Sequence, residues 1–297
     1  KVAHQWIQKG NEMDKIIVVS NHSKNIYANT EFQGINNQTQ ERINLSLTTP
    51  IAAVNYPVKK YDSLEEIPLE LSTEVNFLVV AQMGPRKNLW NTIRWFLQEF
   101  KDEEIGLIVK TNKAKNCLMD RELIHQELKG LVQGIPDTKA KVYLLHGDMT
   151  DEEMHSLYKH PKVSAFLALP HGEGFGFEAA YSGLPVVATG WSGQLDFLVD
   201  EKGSDRFYNV SYDLQAVPED VLWEGVIIKE SMWAYPREAS AKSKMRQCYD
   251  DILNNESYVQ TASEYADSLE KRFSADRLYH DFVGNIVSYE DLLSDLL

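Results

Sequence analysis

A chain of 297 residues has the length of roughly two domains, and its 43% apolar and 25% charged residues are those of an ordinary globular protein, which excludes a disordered or fibrous chain. A formal net charge of −14 argues against a nucleic-acid partner, because a phosphate backbone is gripped by clustered Lys and Arg. No apolar run approaches the roughly 18 residues of a membrane-spanning helix, and the opening KVAHQWIQKGNEMDK lacks the apolar core of a signal peptide. Two cysteines, Cys117 and Cys248, have no metal-ligand spacing and are too few for a disulfide framework, so a reducing compartment, the cytoplasm, is expected. The eight histidines are scattered, and no protein-bound metal is expected.

In chain order, IIVVS (16–20) follows an amphipathic segment and reads as a strand; polar turns, SNHSKN and INNQTQ, come before a second short run, IAAVNYPV (51–58). Two strands do not make an independent sheet. Residues 1–70 are therefore expected to be the remnant and linker of a domain whose earlier portion lies outside this chain. From about residue 76, apolar runs alternate with helical patterns: NFLVVAQ (76–82), IGLIVKT (105–111), KVYLLHG (141–147), VSAFLAL (163–169), PVVAT (185–189) and GVIIK (225–229). Helices are predicted over Asn88–Phe100, where Leu89, Ile93, Phe96, Leu97 and Phe100 share a face, over Arg121–Val132, and over Asp151–Lys159, opened by a Thr150-Asp151 cap. This alternation predicts an α/β domain over 71–255: a Rossmann-like parallel six-stranded sheet with helices on both faces. Residues 256–297 are predicted to form carboxyl-terminal helices. The most basic short stretch, KTNKAK (110–115), reads as a solvated loop.

Chemistry concentrates in LPHGEGFGFEAAYSGLPVVAT (169–189), which puts a close run of three glycines (Gly172, Gly174 and Gly176), two acids and a helix start between two apolar runs. The glycines fall at a strand's carboxyl end, where open α/β sheets bind ligands. Gly174 and Gly176 allow unusual dihedrals and close approach of a ligand to the main chain. Glu178 falls in the first helical turn, as a dipole partner or as an acceptor for hydroxyls. An ordinary strand-loop-helix junction carries the same residue types, so both readings stay open here. Phe177 stands where the dinucleotide fingerprint needs glycine, which counts against a nicotinamide enzyme.

A second glycine-bearing segment runs from Ala81 to Phe96. Gly84 and Pro85 make a turn after the first strand of the series, and Arg86 and Lys87 sit where a helix begins, an arrangement suited to phosphate; a pair of surface charges is the alternative. Trp90, Trp95, Trp223 and Trp233 read as packing residues. His146 and His171 flank the expected cleft as incidental loop histidines.

Together these residues resemble the carboxyl-terminal, donor-binding domain of the group 1 retaining glycosyltransferases (family 4, GT-B fold), from about Asn76 to Asn254, and NEMDKIIVVSNHSKN (11–25) resembles the end of that family's acceptor-binding domain. HGEGFG and EAAYSGLPVVAT match the two halves of the family's mark. The resemblance implies that Glu173 meets the transferred sugar, that Glu178 holds the ribose hydroxyls, and that Gly174, Phe175 and Gly176 line the donor site. The spacing departs from the pattern: Glu173 and Glu178 are five apart rather than eight, and Pro170 occupies the eighth position back. Lys87 takes the family's lysine position, whereas Gln82 stands at the usual arginine and Arg86 follows later. The loop GWSGQLDF (190–197) implies backbone contacts from Ser192 and Gly193; its alternative is an ordinary turn with Trp191 as a packing residue.

The implied reaction is hexosyl-type transfer, with retention, from a nucleoside diphosphate sugar to a sugar, lipid or protein acceptor. No metal is implied, and Lys87 and Arg86 stabilise the leaving diphosphate. With most of the acceptor side outside the chain, donor binding without efficient transfer is expected. A sugar-nucleotide epimerase and a non-catalytic nucleotide-sugar binding or interaction module are the alternatives.

Overall fold

Apolar periodicity and cap signals dictate most of what the computed structural model shows over its described residues, 1–35, 41–172, 176–254 and 257–287. The chain divides into two units, one of Lys1–Val58, Leu214–Trp233 and Arg272–Leu297, the other of Lys59–Asp213 and Ala234–Lys271. No helix among the described residues is long and apolar enough to cross a membrane.

The first unit begins with α1 (His4–Gly10), β1 (Ile16–Val18), α2 (Asn21–Ala28), β2 (Glu31–Ile35), β3 (Arg42–Ser46) and β4 (Ile51–Ala53). β1 and β4 pair in parallel, and β2 and β3 form an antiparallel ribbon. SNHSKN, read from sequence as a turn, opens α2 instead, because the Ser20 hydroxyl accepts the Ser23 amide at 3.1 Å and caps the helix. The second expected turn, INNQTQ, falls outside the described residues beyond Ile35.

The second unit is built on β5 (Val75–Val80), β6 (Ile105–Thr111), β7 (Lys141–His146), β8 (Ala165–Ala168), β9 (Val186–Thr189) and β10 (Tyr208–Val210). All pair in parallel, in the order β10-β9-β8-β5-β6-β7. Between them run α3 (Leu89–Glu99), α4 (Leu118–Gln133), α5 (Asp151–Tyr158), α6 (Phe177–Tyr181) and α7 (Leu195–Leu198). The chain steps outward from β5 to β7 and then, from β8, outward the other way. Right-handed crossovers in opposite directions put helices on both faces. The strand order reverses between β5 and β8, and a ligand crevice opens at such a point.

The sixth strand is β10, not GVIIK. Gly225 has φ of 75°, and Trp223 bridges back to Ile227, so residues 225–229 form turns in the first unit. β10 escaped detection because a three-residue edge strand that buries Tyr208 and Val210 but only half-buries Asn209 is too short to show a period. The remaining elements are β11 (Tyr212–Ala216), β12 (Met232–Pro236), α8 (Glu238–Leu253), α9 (Ser257–Arg272) and α10 (Ala275–Ile286).

α3 carries the largest share of the second unit's core. Leu89, Ile93, Phe96, Leu97 and Phe100 are all fully buried, as their spacing required, and each contributes about 1.5–3 kcal/mol by leaving water. α8 lays Ala241, Met245, Cys248 and Tyr249 on the same cluster, and burial pushes the Cys248 thiol far above its usual range. Arg246 fastens the two helices through Glu99 and Glu103, at 2.8 and 3.1 Å, with its guanidinium over the Phe100 ring.

A Cβ at Gly106 would overlap the side chains of Asn76 and Thr73. The fully buried Asn76 amide is committed to the carbonyls of Thr73 and Lys162. Gly106→Ala is therefore expected to cost about 1–3 kcal/mol by leaving those groups unpaired, read as a lowered denaturant midpoint at constant slope.

Candidate functional site

Three loops leave the carboxyl ends of β5, β8 and β9. After β5 the ladder continues through the Ala81 and Met83 amides, which donate to the Lys110 and Asn112 carbonyls at 3.1 and 2.9 Å. Gln82, at the position where the resembled family has arginine, donates to the Lys113 carbonyl at 3.0 Å. Gly84 is extended and a side chain there would meet nothing, so backbone geometry does not demand its glycine. Pro85–Lys87 form a 3-10 turn, and Asn88, at φ of 53°, turns the chain into α3. Asn is among the few residues that tolerate that conformation. Its buried amide donates to the Leu169 carbonyl at 2.9 Å. Lys87 lines a small crevice with Thr92, Leu169 and Pro170.

The β8 loop meets the β5 loop directly: the His171 amide donates to the Arg86 carbonyl at 2.8 Å. His171 is buried with its ring 4.2 Å from that of Tyr235 and Nδ1 3.3 Å from the Ala234 carbonyl, and burial pushes its pKa down. It is a built part of the loop rather than an incidental histidine. Glu173, Gly174 and Phe175 lie outside the described residues. Gly176, at φ of 87°, opens α6, and a Cβ there would press on the Phe166 ring at 3.3 Å, so glycine is required on both counts.

α6 spans five residues, and Glu178 on it is exposed. Burial pushes the Tyr158 and Tyr181 phenols upward, and the Glu178 carboxylate adds to the rise in both. Its charge also acts on Lys59, which pairs with Asp151 at 2.5 Å, and on Tyr61, which stacks on His155 at 4.5 Å. Glu178 thus belongs to a cluster from α5, α6 and the segment entering this unit, whereas Arg86 and Lys87 belong to the contacts between the β5 and β8 loops.

The β9 loop meets the β8 loop through the Thr189 hydroxyl, which donates to the Pro170 carbonyl at 3.4 Å. Gln194 returns a hydrogen bond to the Thr189 carbonyl at 2.9 Å. Ser192 sits at φ of 88°, and its carbonyl and that of Gly193 accept the Leu195 and Asp196 amides that start α7. A serine held in that region stores about 1–3 kcal/mol of strain, and such strain clusters at ligand sites.

Sequence reasoning missed the partner of His146. Its Nε2 lies 2.8 Å from Asp120 Oδ2, with both side chains buried. The Lys113 and Ala114 amides also bond Asp120, at 2.9 Å each. The Lys113 amide and then His146 lower its pKa to about 2. No local signal announces a bond between residues 26 apart. Because the folded carboxyl ionises more readily than the unfolded one, it contributes stability above the ordinary carboxylate pKa of about 4; that contribution fades as the pH falls towards about 2. Asp120→Asn is expected to lower the denaturant midpoint at neutral pH, with the deficit closing over that acid window.

Among the tryptophans, Trp95 and Trp233 are buried and Trp90 is half-buried, but Trp223 is 66% exposed, so the packing role read for it from sequence is corrected. Among the described residues, no three His, Cys, Asp or Glu side chains are arranged to hold a metal ion.

No protein-family model matches the sequence, and no curated protein matches it. Among solved structures, the chain is similar over 95% of its length to a glycosyltransferase from Rickettsia africae, at 11% identity and a TM-score of 0.59. Over 96% of its length it is similar to TarM, at 15% identity and a TM-score of 0.54. This is a GT-B glycosyltransferase fold. A mutant S. aureus TarM in complex with fondaparinux, α-GlcNAc-glycerol and UDP is similar over 95% of this chain, at 14% identity and a TM-score of 0.51. The chain spans 66% of the Rickettsia protein and 45% of each TarM chain. Within the GT-B fold, the β5, β8 and β9 loops are those that leave the carboxyl edge at and beside the reversal of strand order.

Proposed function

We propose that this chain binds a nucleoside diphosphate sugar and serves sugar transfer with retained anomeric configuration. The observation that carries the reading is the joining of the β5 and β8 loops where the strand order reverses, with Arg86 and Lys87 leading into α3. Free amides at the start of α3 and two adjacent cations suit a diphosphate. Charge gathers on the leaving diphosphate as the glycosidic bond breaks, and in this reading Lys87 and Arg86 take it up electrostatically without a metal. Glu178 accepts the ribose hydroxyls, Glu173 meets the sugar, and Gly84, Gly174, Phe175, Gly176, Ser192 and Gly193 line the donor. The spacing of five between Glu173 and Glu178, against eight in the resembled family, favours a second reading, a binding module that holds the donor without turnover.

Titration calorimetry with UDP, GDP and ADP tests donor binding, and the UDP held by S. aureus TarM makes uridine the first choice. One diphosphate is expected to bind, and Glu178→Ala is expected to weaken it about tenfold or more, the worth of a hydrogen bond to a charged group. An unchanged Kd in that variant removes Glu178 from the site, and failure of all three nucleotides overturns the donor reading. With the matching sugar nucleotide, the anomeric configuration of any product, read by NMR, separates retention from inversion; binding without product leaves the module.

A further inference from the structure

The start of α4 presents an apolar surface that its own unit does not use. Leu118 and Met119 are 80% and 77% exposed, and Leu123, four residues after Met119 and so on the same face, is 51% exposed. The core is served by a different face of the helix, through buried Ile124 and Leu128. Adjacent large apolar side chains at this exposure are costly in water unless something covers them.

Charge identifies the cover. KTNKAK is not a loop throughout, since Lys110 and Thr111 end β6; the stretch that follows them, together with the first turn of α4, exposes Lys113, Lys115 and Arg121. Its acid, Asp120, is turned inward to His146 and two backbone amides. Lys113 shares its charge with Glu127 at 2.6 Å, and Glu122 is the exposed acid on the flank. Cations therefore outnumber acids here, in a chain whose net charge is −14. In so acidic a chain a locally cationic stretch is what an anionic surface attracts, and exposed Leu and Met framed by Lys and Arg are the chemistry of insertion at an anionic lipid interface. α10 supplies the contrast: Tyr279, Phe282, Val283 and Ile286 are exposed along one face, but Arg277 there is matched by Asp276 and Asp281.

We propose that Leu118, Met119 and Leu123, with Lys113, Lys115 and Arg121, form a docking surface for an anionic lipid bilayer. α4 begins after the carboxyl end of β6, at the sheet edge that carries Arg86 and Lys87. Docking through it presents that edge to the membrane surface. The proposal does not depend on sugar transfer, and its test uses no nucleotide.

The experiment is co-sedimentation of the chain with vesicles rich in phosphatidylglycerol and with vesicles of phosphatidylcholine alone. Binding is expected only to the anionic vesicles and is expected to fall with added salt. The double variant Leu118→Ser/Met119→Ser is expected to bind about tenfold more weakly, from the loss of inserted apolar groups; Lys113→Gln/Lys115→Gln is expected to lose a similar factor from the electrostatic part. Tyr279→Ser/Phe282→Ser should bind as the parent does. Circular dichroism and the denaturant midpoint establish that each variant is folded. No binding by the parent, equal binding to both vesicle types, or loss in the α10 variant instead of the α4 variant overturns the proposal. So does concentration-dependent self-association that Leu118→Ser/Met119→Ser abolishes, because the cover is then a second copy of the chain.

Discussion

Lys87→Ala is expected to weaken nucleoside diphosphate binding by about 10- to 100-fold, the worth of one charge-assisted hydrogen bond at about 1.5–3 kcal/mol. The residue closes the 3-10 turn before α3, and in the proposed reading its ammonium and the start of α3 together meet the diphosphate. It is only half-buried, so its removal should leave the denaturant midpoint close to that of the parent. Salt provides a second readout: affinity in the parent should fall more steeply with ionic strength than in the variant, because the lost contact is a screened one. Arg86→Ala isolates the other cation, since the tie to the β8 loop uses the Arg86 carbonyl and survives loss of the side chain. Calorimetry of both variants decides the matter, and an unchanged Kd in Lys87→Ala removes the diphosphate from this turn.

The largest loss of stability is expected from Phe96→Ala, about 3–5 kcal/mol, the usual cost of truncating a buried phenylalanine. Phe96 is fully buried, with its ring centroid 4.9 Å from that of Phe100 and 5.9 Å from that of Phe77. Phe77 belongs to β5 and Phe100 ends α3, so the cluster fixes the helix on the strand that precedes the Arg86-Lys87 turn. A domain's total stability is about 5–15 kcal/mol, and the substitution takes a large part of it. Phe96→Leu keeps most of the volume and should cost clearly less. Guanidinium titration of the two variants measures both effects; a loss below about 1 kcal/mol for alanine would mean that the site collapses around the gap.

Five of the six strands of the parallel sheet could be read from the chain: β5, β6, β8 and β9 because strands covered on both faces become continuous apolar runs, and the half-buried edge strand β7 because it runs for six residues. Phe77 to Val79 and Ala165 to Ala168 are buried without interruption. β10 broke the rule, since an edge position asks for only two buried side chains, and GVIIK imitated a strand while Gly225 turned it. Of the site, the turn holding Arg86 and Lys87 and the glycine at 176 were readable, because each depends on dihedrals or charges within a few residues. The bonds from His171 to Arg86, from Asn88 to Leu169 and from Asp120 to His146 were not.

Sequence by itself determined the repeating strand-helix order, the inward face of α3 and the glycine at the start of α6, all consequences of local period and of which dihedrals a side chain permits. Tertiary structure alone decided which strand closes the sheet, which loops meet at the reversal between β5 and β8, and that Glu178 lies in the field of Lys59 and Tyr61. Those outcomes depend on pairings between residues tens of positions apart, whose selection rests on the packing of the whole sheet, and a window along the chain holds only one partner of each.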